Sequence, residues 1–317
     1  MKKIIVINLL AMMILTGCNV GFSEGEIRSV GMLVETTIHD QAWGQKGYKG
    51  LLDIKEEYDV DVYFKEGIKD QSDVNKAVDE LVDKGVNVIF GHSSIYGEYF
   101  KNIHEDYPEV HFVYFNGGYS AENVTSLNFS ADAMGFFGGV VAGSMTNSDQ
   151  IGLIAAHEWQ PEVEGFYEGV KYINPEAKVN FSFVGSWDNT EQAMRLYDRM
   201  AQQGADVFYP AGDGFNPPMI QQVQNDGHYA IGYVSDQSSL GEGTVLTSTV
   251  QHVEKLYLIA MERLMEGKLP GEVLTFDFQD GAISMGKFSP DVPEEVKDQV
   301  NNMVDNYIET GELPSER

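Results

Sequence analysis

Cysteine is almost absent. The 317 residues hold one, Cys18, so no intrachain disulfide can form and the mature fold must rest on its core. Basic residues are scarce as well: lysine and arginine number 21 against 49 acidic side chains, a formal net charge of −28. That balance repels DNA, RNA and anionic lipid, and no dense Lys/Arg run offers a local exception. It also disfavours highly charged phosphates as ligands. No apolar run reaches the roughly 20 residues that a bilayer-spanning helix requires. Low-complexity linkers are missing too, which predicts lobes joined by several short crossovers rather than one hinge.

What is present begins with a leader. Lys2 and Lys3 precede an almost wholly apolar stretch, Ile4 to Leu15, which reads as the h-region of a signal peptide over residues 1–17. Leu15-Thr16-Gly17-Cys18 then resembles the lipobox of bacterial lipoproteins. That resemblance implies lipidation of Cys18 after cleavage and a short tether over 18–26. It places the protein on the extracytoplasmic face of the cell membrane, held by its lipid.

The rest alternates strands with helices. Val30 to Val34 is an apolar run suited to a buried parallel strand, and it leads through a polar loop into a helix carrying Trp43. The unit recurs. Val30-Gly31 returns as Ile151-Gly152 and Gly44 as Gly165, at one and the same offset, and GVNVIFGH from Gly85 has its counterpart in GADVFYPAG from Gly204. Val74, Ala77, Val78, Leu81 and Val82 keep helical spacing after Ser72, with Gly85 as the stop. ADAMGFFGGVVAGSM is an apolar helix rich in glycine for close packing, and VLTFDF with AISMG reads as a terminal hairpin around Asp280-Gly281. The expected fold is α/β, two doubly wound parallel-sheet lobes with a cleft between them. The N-terminal lobe is expected over 27–130 plus 251–268, and the C-terminal lobe over 131–250 plus 269–290. A helix and tail fill 291–317.

Ligands of open α/β sheets sit outside the carboxyl ends of the strands. Those positions hold Asp40 and Trp43, Gly91-His92, Phe115-Asn116, Trp159, Asp213 to Asn216 with Phe215 among them, and Ser235-Asp236-Gln237. Aromatic faces with amides and carboxylates, and no Lys or Arg, suit a small, partly planar, hydrogen-bond-rich molecule such as a nucleoside or a sugar. Each also has a structural role open to it, Trp43 as a hydrophobic staple, Asp40 as a helix cap and Phe215 as packing under a turn. Catalysis finds no support. His157-Glu158 lacks a second His at metal-binding spacing, there is no G-x-S-x-G elbow, and Gly212-Asp213-Gly214 would oppose a pyrophosphate. No metal or cofactor is expected.

DQAWGQKGYKG is similar to the D-x-S-F-N-Q signature of the basic membrane protein family, the purine-nucleoside-receptor-like solute-binding lipoproteins. The likeness runs nearly end to end, through PEVEGFYEGVKYINP, GADVFYPAGDG, IGYVSDQ and VLTSTVQ. It implies a type I periplasmic-binding fold and nucleoside capture for an ABC importer. It also places Asp40 at the leading Asp, Trp43 at the purine-stacking Phe, and Asn116 where the family has a ribose-facing Asp. Three positions depart from the pattern: Gly44 replaces an Asn, Val234 an Asp and Gln251 a Lys. Lost ribose and base contacts of that kind cost a few kcal/mol in a site built for them. Within the family the chain most resembles a regulatory Bacillus lipoprotein described as a positive regulator of competence. That resemblance implies the alternative of a sensor or interaction surface, with a membrane partner in place of a permease and without transport.

Overall fold

The computed structural model describes residues 27–39 and 42–316. The expected leader, tether and Cys18 lie outside the described residues, as does Asp40. Among the described residues no helix is long and apolar enough to cross a membrane.

Two six-stranded sheets form, each flanked by helices. In the first, β1 (Ser29–Leu33) pairs in parallel with β2 (Asp61–Lys65) and β3 (Val88–Gly91), followed outward by β4 (His111–Phe115) and β5 (Val124–Phe129). All five residues of β1 are buried, as its unbroken apolar run requires of a central parallel strand. Its helices are α1 (Ala42–Tyr58), α2 (Gln71–Val82) and α3 (Tyr96–Lys101). In α2 the buried residues are Val74, Ala77, Val78 and Leu81, one face of the helix. Its cap is Asp70, whose carboxylate accepts the Asp73 N–H at 2.9 Å, so the helix begins one residue ahead of Ser72.

The second sheet repeats the first. It holds β6 (Gln150–Ala155), β7 (Lys178–Phe183), β8 (Val207–Ala211), β9 (Tyr229–Val234) and β10 (Val245–Gln251), with helices α4 (Ala131–Met145), α5 (Pro161–Ile173), α6 (Thr190–Gln202) and α7 (Asn216–Asn225). Val30-Gly31 lies in β1 and Ile151-Gly152 in β6, Gly44 in α1 and Gly165 in α5, so the sequence repeat is a repeat of structure. Helix α8 (Val253–Met265) returns to pack on α1 in the first lobe, and the last helix is α9 (Glu294–Thr310).

The expected hairpin at Asp280-Gly281 does not form. Strand β11 (Val273–Phe276) pairs in parallel with β5, whereas β12 (Ile283–Met285) pairs antiparallel with β10. The turn signal is sound, since Gly281 has φ 63° and the Ala282 N–H reaches the Asp277 carbonyl at 2.9 Å. It is a crossover between lobes instead of a hairpin loop. Residues 273–276 accordingly lie in the first lobe, where the boundary at 269 had put them in the second. The chain passes between the lobes three times, near Ser130, near Gln251-His252 and over 277–282.

Glycine sets how closely α4 and α5 cross. A Cβ on Gly139 would stand 2.1 Å from the Phe166 carbonyl oxygen, and one on Gly165 1.9 Å from that of Asp132. Only bare backbone lets the two helices meet at this distance. Helix α9 docks through buried Val300 and Tyr307, the latter edge-on to Phe137 and Phe278.

Candidate functional site

A cavity of about 520 Å³ opens between the lobes at the carboxyl ends of the strands. The first lobe contributes Trp43, His92, Asn116 and Phe129, and the second contributes Trp159, Glu162, Trp187, Asp213 and Val234. The chain has three tryptophans, and all three line this space.

Trp43 is held from several sides. Its ring stacks on the His92 imidazole at 4.9 Å and 20°, and meets Phe115 and Phe129 edge-on at 5.8 and 6.1 Å. Its indole N–H donates to the His92 carbonyl at 3.1 Å, and His92 Nε2 donates in return to the Trp43 carbonyl at 2.7 Å. A carbonyl can only accept, so the proton sits on Nε2 and Nδ1 accepts from the Tyr257 hydroxyl at 2.9 Å. Burial pushes the His92 pKa down to about 4, and the imidazole is neutral at pH 7. Space for the ring exists because residue 47 is glycine, where a Cβ would come within 2.4 Å of His92 Cε1. The indole is thus a preorganised wall of the cavity.

Asp213, in the loop after β8, reaches across the cleft. Its Oδ2 accepts the Trp43 backbone N–H at 2.9 Å, in the first turn of α1. A carboxylate there faces the positive end of the helix dipole. Burial raises the Asp213 pKa, while the amides of Trp43 and Ala42 and the charge on Lys46 pull it back. Oδ1 is buried and has no hydrogen-bond partner among the described residues.

Glu162 lies deeper, in the first turn of α5. Its Oε1 accepts from the Tyr233 hydroxyl and from Gln160 Nε2, both at 2.7 Å. It is 3% exposed, and desolvation raises its pKa against those two bonds. The rim of the second lobe is aromatic: His157 stacks on Trp159 at 5.2 Å and 10°, with Trp187 edge-on to both.

The residues expected from sequence divide. Trp43, His92 and Asn116 line the cavity. His92 spends both ring nitrogens on the protein, so its polar groups position the indole. Gly91, Phe215, Asp236 and Gln237 do not line it. Gly91 makes room for Tyr96, which a Cβ would meet at 2.4 Å. Phe215 is fully buried beneath Gly212, within the core formed by Met219, Ile220 and Val223. Asp236 turns back to accept the N–H groups of Ser238 and Lys287 at 3.1 and 3.3 Å. Gln237 ties Tyr233, Asn216 and Ser248 together by three bonds of 2.9 to 3.0 Å.

Asn116, the residue after β4, and Val234, the last residue of β9, stand at matching places in the two lobes and both have positive φ, 56° and 65°. Asparagine takes this conformation readily. For a β-branched valine it stores about 1–3 kcal/mol of strain. Glu162 and Trp187 escaped the sequence reading: Glu162 looked like an ordinary acid at a helix start, whereas Trp187 follows β7 and the strand-end rule could have found it.

The family model of PnrA-like ABC transporter substrate-binding proteins, Bmp, matches residues 27–317. The transcriptional activator protein med of Bacillus subtilis (strain 168) is 49% identical over 303 residues, covering 96% of each chain. The crystal structure of a transcriptional activator of the comK gene from Bacillus halodurans superposes with a TM-score of 0.85 at 48% identity, covering 90% of this chain and 99% of that one. More distant is the ABC transporter nucleoside-binding protein BmpA of Lactococcus lactis subsp. cremoris (strain MG1363), 21% identical over 338 residues, covering 94% of this chain and 95% of that protein. The paired sheets and three crossovers are those of the type I periplasmic-binding fold. The chain therefore belongs to the PnrA-like family of ABC transporter substrate-binding proteins.

Proposed function

We propose that the protein is an extracytoplasmic binding lipoprotein, anchored through Cys18, that closes its lobes on one small planar ligand. Its output is regulation of the competence type. The observation that carries the ligand reading is the cavity wall: three indoles around about 520 Å³, closed over by the Asp213–Trp43 bond. Rings of that kind supply flat apolar area at little entropic cost, with polar groups at the edges to fix orientation.

The regulatory reading is supported by the 49% identity to a protein called a transcriptional activator. A net charge of −28 disfavours direct contact with DNA, so the signal would pass through a membrane partner. Capture of a nucleoside-like or sugar-like solute for an ABC permease is the second reading, supported by the family match and by the nucleoside-binding relative.

A thermal-shift screen against nucleosides, bases, sugars and flat heterocycles tests the cleft. A ligand at 100 times its Kd stabilises by about 2.7 kcal/mol, a shift of several degrees. Uptake of that ligand in cells with and without the gene then separates the roles. Unchanged uptake with altered transcription of competence genes supports regulation; lost uptake supports import.

A further inference from the structure

The charge of the cavity is one-sided. Glu35, Glu162, Asp188 and Asp213 line it, and among the described residues no lysine or arginine does. Lys46 lies outside the lining, acts on Asp213 by charge, and spends its ammonium on the Gln251 carbonyl at the crossover. His92 has both ring nitrogens engaged and carries no charge. Ordinary packing accounts for part of this, since Glu162 Oε1 accepts two neutral donors and Asp188 accepts the Ser186 hydroxyl at 2.6 Å. Neutral donors satisfy lone pairs but do not cancel charge. Asp213 goes further, because it is 6% exposed with one oxygen unpartnered among the described residues.

The aromatic lining has the same sign preference. Indole faces carry the negative side of the ring quadrupole and attract cations, most strongly where water is excluded. Carboxylates and indoles together penalise an anion twice and favour a cation twice. A neutral nucleoside would meet the stacking surface and leave the carboxylates with no cation inside the cavity, Lys46 acting on Asp213 from outside the lining.

Resting on the reading of the cleft as a ligand site, we infer that its ligand is a small flat organic cation, a protonated or quaternised nitrogen heterocycle. One face lies on an indole and the positive edge turns to Asp213 and Glu162.

The test uses the full-length protein in detergent with a matched pair, 1-methylnicotinamide and nicotinamide, which differ by one N-methyl group and the charge it brings, together with benzamidine and inosine. The inference expects the cations to quench tryptophan fluorescence saturably. By calorimetry 1-methylnicotinamide should bind about tenfold or more tighter than nicotinamide, the size of one desolvated cation–π contact. Raising the salt concentration should weaken the cation and leave nicotinamide unmoved, a readout that needs no variant. Glu162→Gln keeps the hydrogen-bonding shape and should narrow the gap between the pair by severalfold. Equal affinity for the pair, or binding of inosine alone, overturns the inference and leaves the ligand cleft standing. Binding of no probe, with unchanged fluorescence, overturns both.

Discussion

At the scale of single residues, His92 carries a pH dependence whose sign is fixed by burial. Its pKa falls from 6.5 to about 4 on folding, so the folded state holds the neutral ring and the unfolded state binds the proton first. The contribution is complete above pH 6.5 and is lost as pH drops toward 4, on the order of 3 kcal/mol at most. His111, buried against the Thr125 hydroxyl, shifts the same way. Glu162 and Asp213, with raised pKa values, act in the opposite sense over the acid range. Urea unfolding of wild type and His92→Gln at pH 7 and pH 5 isolates the histidine. The variant should lose less stability between the two conditions, and equal losses would show that His92 does not titrate there. Trp43 belongs to the same unit. Trp43→Ala should weaken any planar ligand by about 1–3 kcal/mol in calorimetry, and an unchanged affinity would remove that ring from the site. Rebuilding the family pattern is harder than the sequence suggests. A Cβ on Gly44 would lie 2.8 Å from the Thr37 carbonyl oxygen, so Gly44→Asn cannot be accommodated without moving that loop.

At the scale of elements, the crossing of α4 and α5 gives a sharp contrast. Gly165→Ala drives a methyl against the Asp132 backbone and should destabilise by about 3 kcal/mol or more, since backbone cannot rotate away as a side chain does. Gly118→Ala, with nothing within 4 Å of the added Cβ, should leave the urea midpoint nearly unmoved. Comparable losses in the two variants would mean that the helices can part. This layer of the molecule was readable in the sequence, because hydrophobic period and glycine spacing are local signals. The alternation of strands and helices, the repeat and the strand ends all follow from them. The direction of a side chain at a strand end is not local. Phe215 and Trp43 occupy equivalent kinds of position, yet Phe215 folds beneath Gly212 and Trp43 faces the cavity. The segment around Asp280-Gly281 failed for a related reason. Turn chemistry says that the chain reverses, and the partners of β11 and β12 are decided by edges of sheets formed far away in sequence.

At the scale of the whole molecule, attachment and connectivity matter most. If Cys18 bears the lipid, Cys18→Ala should abolish labelling by a radioactive fatty acid and release the protein from the membrane fraction. Equal label on wild type and variant would refute the anchor. The triple crossing between lobes has a separate consequence, for the order in which the molecule can be finished. The second lobe is nearly contiguous from Ala131 to Gln251 and awaits β12 and the docking of α9. The first lobe is not: it begins with β1, and its edge strand β11 and the helix α8 that packs on α1 arrive only after residues 131–251 of the second lobe. Such long-range pairing is slow to form, and until it forms β5 presents an open strand edge. If the chain is exported from its amino terminus, the half-built first lobe waits longest, and the N-terminal half, rather than the C-terminal one, then depends on protection from aggregation.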